Sequence, residues 1–145
     1  MIKAIGVGTD GSETAAKAVE FAMDMAERYK AKLVIASAYT PVSEDRIRKE
    51  RVDAPQEVMW SINPTEEVDA TLRAVEEQAG ERGLSYVSEA RNGDPADVLC
   101  DIAADHEVDV IVVGNKGMHR RILGSVPNTV SHKAPCSVMI VKTAD

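Results

Sequence analysis

Positive charge in this acidic chain gathers in one place. Lys116, His119, Arg120 and Arg121, four side chains that are cationic or can become so, fall within six residues. Gly114, Gly117 and Gly124 bracket and interrupt them, and Ser125 opens the segment that follows. Glycines let backbone N–H groups approach phosphate oxygens, a serine adds a hydroxyl donor, and a helix starting there adds partial positive charge. The chemistry this pattern suits is phosphate recognition; the competing reading is a solvated turn whose charges face water. GxxxxGK[ST] and GxGxxG are both absent, so P-loop catalysis and nicotinamide binding gain no support. The second group is Gly8-Thr9-Asp10-Gly11-Ser12. The Asp10 carboxylate there can accept a bond from a ribose hydroxyl or help hold a metal, and Asp10 and Ser12 are equally good helix N-caps.

Other reactive side chains point away from catalysis. Cys100 and Cys136 form no CxxC pair and share no zinc spacing with histidine, so both read as small buried residues in a reducing, cytoplasmic setting. Met23, Met25, Met59 and Met139 read as gap fillers, and His106 and His132 as helix-end residues without a partner at catalytic spacing. No nucleophile and base pair emerges. Binding is therefore favoured over turnover.

These groups must be positioned by a chain of 145 residues, 44% of them hydrophobic, which is the size of one domain spanning residues 1–145. A formal net charge of −7 argues against nucleic acid as a partner. Phe21, Tyr29, Tyr39, Trp60 and Tyr86 are the aromatic residues, too few and too scattered to stack successive bases. The segment MIKAIGVGTDGS lacks the features of a signal peptide, and no apolar run is long enough to span a membrane.

Short β-branched runs alternate with segments of helical period, which predicts an α/β fold: a doubly wound, five-stranded parallel sheet, Rossmann-like, with helices on both faces. Strands are expected over Ile2–Val7, Leu33–Ala38, Leu84–Ala90, Val108–Val113 and Ser137–Val141. The first helix carries Ala15, Ala16, Val19, Ala22, Met23 and Ala26 on its apolar stripe. The second opens at Asn63-Pro64-Thr65-Glu66-Glu67 and runs to about Gly83, the third starts at Asn92-Gly93-Asp94-Pro95, and the last lies near Ser125–Lys133. Residues 41–63, with Pro41, Pro55 and Trp60, read as a long surface excursion suited to a lid or partner surface. Both phosphate-competent groups fall directly after strands, where such sheets bind ligand.

VGTDGS after the first strand, IASAY in the second, GDPADVL opening the third helix and VVGNKG…LGSVPNTVSHKAPCSVMIV at the end together resemble the universal stress protein family, in its nucleotide-binding branch. The resemblance covers nearly the whole chain. It implies strand order 3-2-1-4-5, a homodimer pairing the last strand (residues 137–141) with its own copy, and an adenine nucleotide as ligand. It further implies that Asp10 contacts the ribose, Ala38 lines the adenine pocket, and Gly114 approaches ribose and phosphate. Gly117, Gly124, Ser125 and the Val126 backbone would hold phosphates, with Arg120 able to pair with them directly. The family pattern G-x2-G-x9-G-[ST] departs once here, with six residues rather than nine between Gly117 and Gly124. Seven Cα steps still reach about 25 Å, so the segment can close. Two lost backbone donors, at about 0.5–1.5 kcal/mol each, would weaken a triphosphate roughly five- to 150-fold. ATP, AMP and cyclic AMP thus all stand as candidate ligands of a regulatory dimer; some actinobacterial relatives with a similar ASAY strand bind cyclic AMP. The alternatives are a slow Mg²⁺-dependent ATP hydrolase using Asp10 and a nucleotide-free dimeric interaction protein.

Overall fold

A computed structural model describes residues 1–39, 64–115 and 125–143. Within them, five strands alternate with helices: β1 (Ala4–Gly8), α1 (Glu13–Tyr29), β2 (Lys32–Tyr39), α2 (Pro64–Glu81), β3 (Tyr86–Asn92), α3 (Pro95–Asp105), β4 (Val110–Gly114), α4 (Ser125–Lys133) and β5 (Ser137–Val141). All pairings are parallel, in the order β3-β2-β1-β4-β5. One register row crosses the whole sheet through Tyr86, Leu33, Ile5, Val110 and Ser137. The carboxyl ends of the strands therefore finish together along one rim.

The sheet is covered on both faces, which is why β1 and β4 are buried almost throughout and read as continuous apolar runs. On one face Ile5, Val7, Leu33, Ile35 and Val112 pack against Val19, Ala22 and Met23 of α1 and Leu72, Val75 and Ala79 of α2. On the other, Val34, Ala36, Ile111 and Val113 pack against Val98, Leu99 and Ile102 of α3 and Val130 of α4. Alanines dominate the buried stripe of α1, with Ala18 on it and Ala16 exposed, so the helix seats close to the strands.

Element ends are set by local chemistry. Ser12 caps α1, its Oγ accepting from Ala15 N at 3.2 Å, and Lys30 closes the helix in the left-handed region at φ 54°. Asp94 caps α3, accepting from Ala96 N and Asp97 N at 3.1 and 3.2 Å, with Pro95 in the first turn. At the end of α2, Gly83 takes φ +69° and Leu84 N returns to Ala79 O at 3.0 Å. That turn consumes residues 83–85, so β3 begins at Tyr86 rather than at the expected Leu84 and extends to Asn92. β4 similarly starts at Val110 rather than Val108. Val108 N closes α3 onto Ala103 O, and the Asp109 carboxylate accepts from Lys3 N and Ala4 N at 2.7 and 3.0 Å. Those two bonds hold the Asp109 carboxyl below the usual carboxylate range. β1 starts two residues later than expected, at Ala4, and ends at Gly8.

No helix among the described residues is long and apolar enough to cross a membrane. The 41–63 excursion, including Trp60 and Met59, lies outside the described residues.

Candidate functional site

The strand order turns back on itself between β1 and β4, and a cavity opens there at the carboxyl rim, enclosing about 160 Å³. Gly8 of β1, Ala36, Ser37 and Ala38 of β2, and Val113 and Gly114 of β4 line its strand side. Val98 and Leu99 of α3 close the apolar back. Thr9, Asp10, Ser12 and Thr14 form a polar flank. Small side chains at positions 8, 36, 38 and 114 leave the space that a flat ring could occupy.

Three helices direct their amino-terminal turns at this space. Thr14 and Ala15 from α1, Pro95 from α3, and Val126 and Pro127 from α4 all line it. Their aligned peptide dipoles favour negative charge at this rim, although Asp94 already takes the N–H groups of Ala96 and Asp97 in α3 and Ser12 Oγ that of Ala15 in α1. Asp10 is the one carboxylate among the described residues that line it. A site with one acid and three helix amino termini suits an anion-bearing ligand with a hydroxyl or ring-nitrogen donor within reach of Asp10.

The β1–α1 turn is built by backbone economy. Thr9 N donates to Ala36 O at 2.9 Å, Ser37 Oγ donates to Thr9 O at 2.7 Å, and Gly11 N donates to Thr9 Oγ1 at 3.2 Å. Thr9 and Ser37 are both buried, and these bonds satisfy their polar atoms within the protein rather than by solvent. Gly11 takes φ +83°, and a Cβ there would lie 3.1 Å from Thr71 Oγ1. Asp10, exposed, accepts from Ser12 N at 2.9 Å and leaves the cap of α1 to Ser12. The cap and ligand readings of this turn thus fall on different residues.

The β4 side is held from beyond β5. Thr143, 2% exposed, donates from both N and Oγ1 to Asn115 Oδ1, at 2.9 and 3.1 Å. Its carbonyl accepts from Lys17 Nζ at 3.1 Å, and Asn115 N donates to Val141 O at 2.8 Å. A Cβ on Gly114 would come within 2.9 Å of Thr143 Oγ1 and 3.0 Å of its Cγ2.

Of the residues expected at the site, Asp10, Ala38, Gly114 and Val126 line one cavity. Ser125 begins α4 beside Val126. Gly117, Arg120 and Gly124 lie outside the described residues, together with Lys116, His119 and Arg121. Sequence reasoning passed over Thr9, Thr14, Ser37, Pro95 and the Asn115–Thr143 pair. Pro95 and Ser37 sit inside the GDPADVL and IASAY motifs, so position within a motif was the available signal; nothing local marks Thr143.

Three readings need correction. His106 has a partner: its Nε2 bonds the Glu89 carboxylate, which with Arg91 and Asp105 forms a cluster joining β3 to the end of α3, none of whose members lines the cavity. The pairing crosses elements, so spacing along the chain did not show it. Met139 is not a gap filler but 40% exposed on β5. Cys100 is buried but Cys136 only half-buried; burial pushes both thiols up, which disfavours the thiolate.

A parallel 3-2-1-4-5 sheet with a cavity at its reversal point and helix amino termini converging on it defines a doubly wound α/β fold with a candidate ligand site where such folds bind ligand. The chain belongs to the universal stress protein family, whose model matches residues 1–142. Universal stress protein Rv1636 of Mycobacterium tuberculosis H37Rv is 37% identical, with 97% of each chain covered. A universal stress protein solved in complex with cAMP is 32% identical, covers 99% of this chain and 98% of its own, and superposes with a TM-score of 0.73. UspA from Lactobacillus plantarum is 25% identical, with coverages of 97% and 98% and a TM-score of 0.76.

Proposed function

We propose that this universal stress protein binds an adenine nucleotide in the cavity at the β1/β4 reversal, as a regulatory ligand. The observation that carries the reading is the convergence of three helix amino termini and the single Asp10 carboxylate on a space walled by small residues. Asp10 would accept from a ribose hydroxyl, and Ala36 and Ala38 would lie against the base. Gly114, Ser125 and Val126 would face the phosphate, joined by Gly117, Arg120 and Gly124. The 32%-identical relative in complex with cAMP supports an adenine nucleotide and favours a small one. The shortened Gly117–Gly124 spacing points the same way, since cyclic AMP needs fewer phosphate contacts than ATP.

Among the described residues no three His, Cys, Asp or Glu side chains gather to hold a metal. We further propose that the protein acts as a homodimer through β5, an edge strand with Met139 and Ile140 exposed.

Isothermal titration with cyclic AMP, AMP, ADP and ATP, each with and without Mg²⁺ and with phosphate release followed in parallel, tests the reading. Saturable binding of at least one nucleotide without phosphate release is expected. Release abolished by Asp10→Ala would instead establish a hydrolase, and no binding of any nucleotide would establish a nucleotide-free interaction protein.

A further inference from the structure

Thr143 lies two residues beyond β5 and is almost wholly buried, yet three of its polar groups are engaged in directed bonds. Its amide and hydroxyl converge on Asn115 Oδ1, and its carbonyl takes the Lys17 ammonium. Two donors on one carboxamide oxygen use both of its lone pairs, which fixes the orientation of the Asn115 side chain. Asn115 directly follows Gly114, and Lys17 lies on α1 between lining residues Ala15 and Ala18. The two ends of Thr143 thus reach two elements that line the same cavity, β4 through Asn115 and α1 through Lys17. The side chain also packs against Gly114 so closely that no Cβ fits there.

We propose that Thr143 is a positioning residue for the nucleotide: it fixes the distance between the Gly114 backbone and the first turns of α1, without touching the ligand. The inference rests on the nucleotide reading above and adds to it a residue far from the ligand motifs. A wall held in place before binding need not be ordered during it, so loosening the clasp weakens affinity even where the fold survives.

The test is titration of cyclic AMP and ATP into the full-length wild type and three variants, with thermal unfolding of each ligand-free protein. Thr143→Val removes the hydroxyl while keeping the shape and the amide, and should weaken binding about 3- to 10-fold. Thr143→Ser restores the hydroxyl and should bind within about twofold of wild type, a rescue that lost packing alone would not give. Lys17→Met removes the grip on α1 from an exposed position, so it tests the claim if Thr143→Val fails to fold. Its loss should persist at high salt, where a loss due only to removed charge fades. Wild-type binding with Thr143→Val, or failing its folding Lys17→Met, unaffected at high salt overturns this inference and leaves the nucleotide reading standing. Absence of binding by the wild type overturns both.

Discussion

A methyl group at position 114 would lie 2.9 Å from Thr143 Oγ1, an atom already committed to Asn115 Oδ1 and unable to swing away cheaply. Gly114→Ala should therefore destabilise the protein by about 1–3 kcal/mol, as overpacking does, and weaken nucleotide binding as well. Urea unfolding beside titration separates the two effects; an unchanged unfolding midpoint would contradict the packing argument. Resemblance assigns this glycine to ligand approach, whereas the chain also requires it for its own packing. Glu89 illustrates the opposite situation, a site outside the cavity with a defined pH signature. Its hydrogen bond with His106, and then those with Arg91, hold its carboxyl below the usual range. A carboxyl whose folded value is depressed contributes stability above its unfolded value, near 4.3, that is lost as pH falls through the folded one. Glu89→Gln should thus lower the melting temperature by a few degrees at pH 7, and the gap from wild type should close toward pH 3. A gap that stays constant with pH would mean the charge is not responsible.

Two of the helices whose amino termini reach the cavity are started by capping residues, α1 by Ser12 and α3 by Asp94. Asp94 satisfies two N–H groups of α3 immediately before Pro95, which lines the site. Asp94→Ala should cost about 1 kcal/mol in chemical unfolding, and an unaltered midpoint would show that the cap is not needed. The elements themselves were legible in the sequence, because β-branched runs and three-to-four spacing are signals carried by the segment alone. Their ends were less so. β3 moved by two residues because the Gly83 turn draws Leu84 back onto α2, and β4 lost its first two expected residues to the bonds of Val108 and Asp109. The cavity was legible where position after a strand identifies the rim, as at Asp10 and Gly114. The Asn115–Thr143 clasp was not, since it joins two ordinary polar residues 28 positions apart that meet only after β4 and β5 pair.

Across the whole molecule the two edges of the sheet are treated differently. β3 carries Glu89 and Arg91, tied to Asp105 and His106, and such charge discourages further strand pairing. β5 presents Met139 and Ile140, 40% and 41% exposed, with no charged residue in the strand. Sedimentation equilibrium should accordingly find a dimer at micromolar concentration, converted toward monomer by Ile140→Lys. A monomeric wild type would defeat the edge-pairing argument. The net charge of −7 is an average over a surface whose cavity gathers three helix amino termini. It therefore argues against the nucleic-acid polymer and not against a single nucleotide. The most direct test of that claim is the amide chemical-shift map of ¹⁵N-labelled protein during titration with cyclic AMP and ATP. Saturating shifts at Thr9, Asp10, Ala38, Gly114 and Val126 are the predicted result; a spectrum unmoved by either nucleotide, or shifts confined to residues outside the cavity lining, would contradict it.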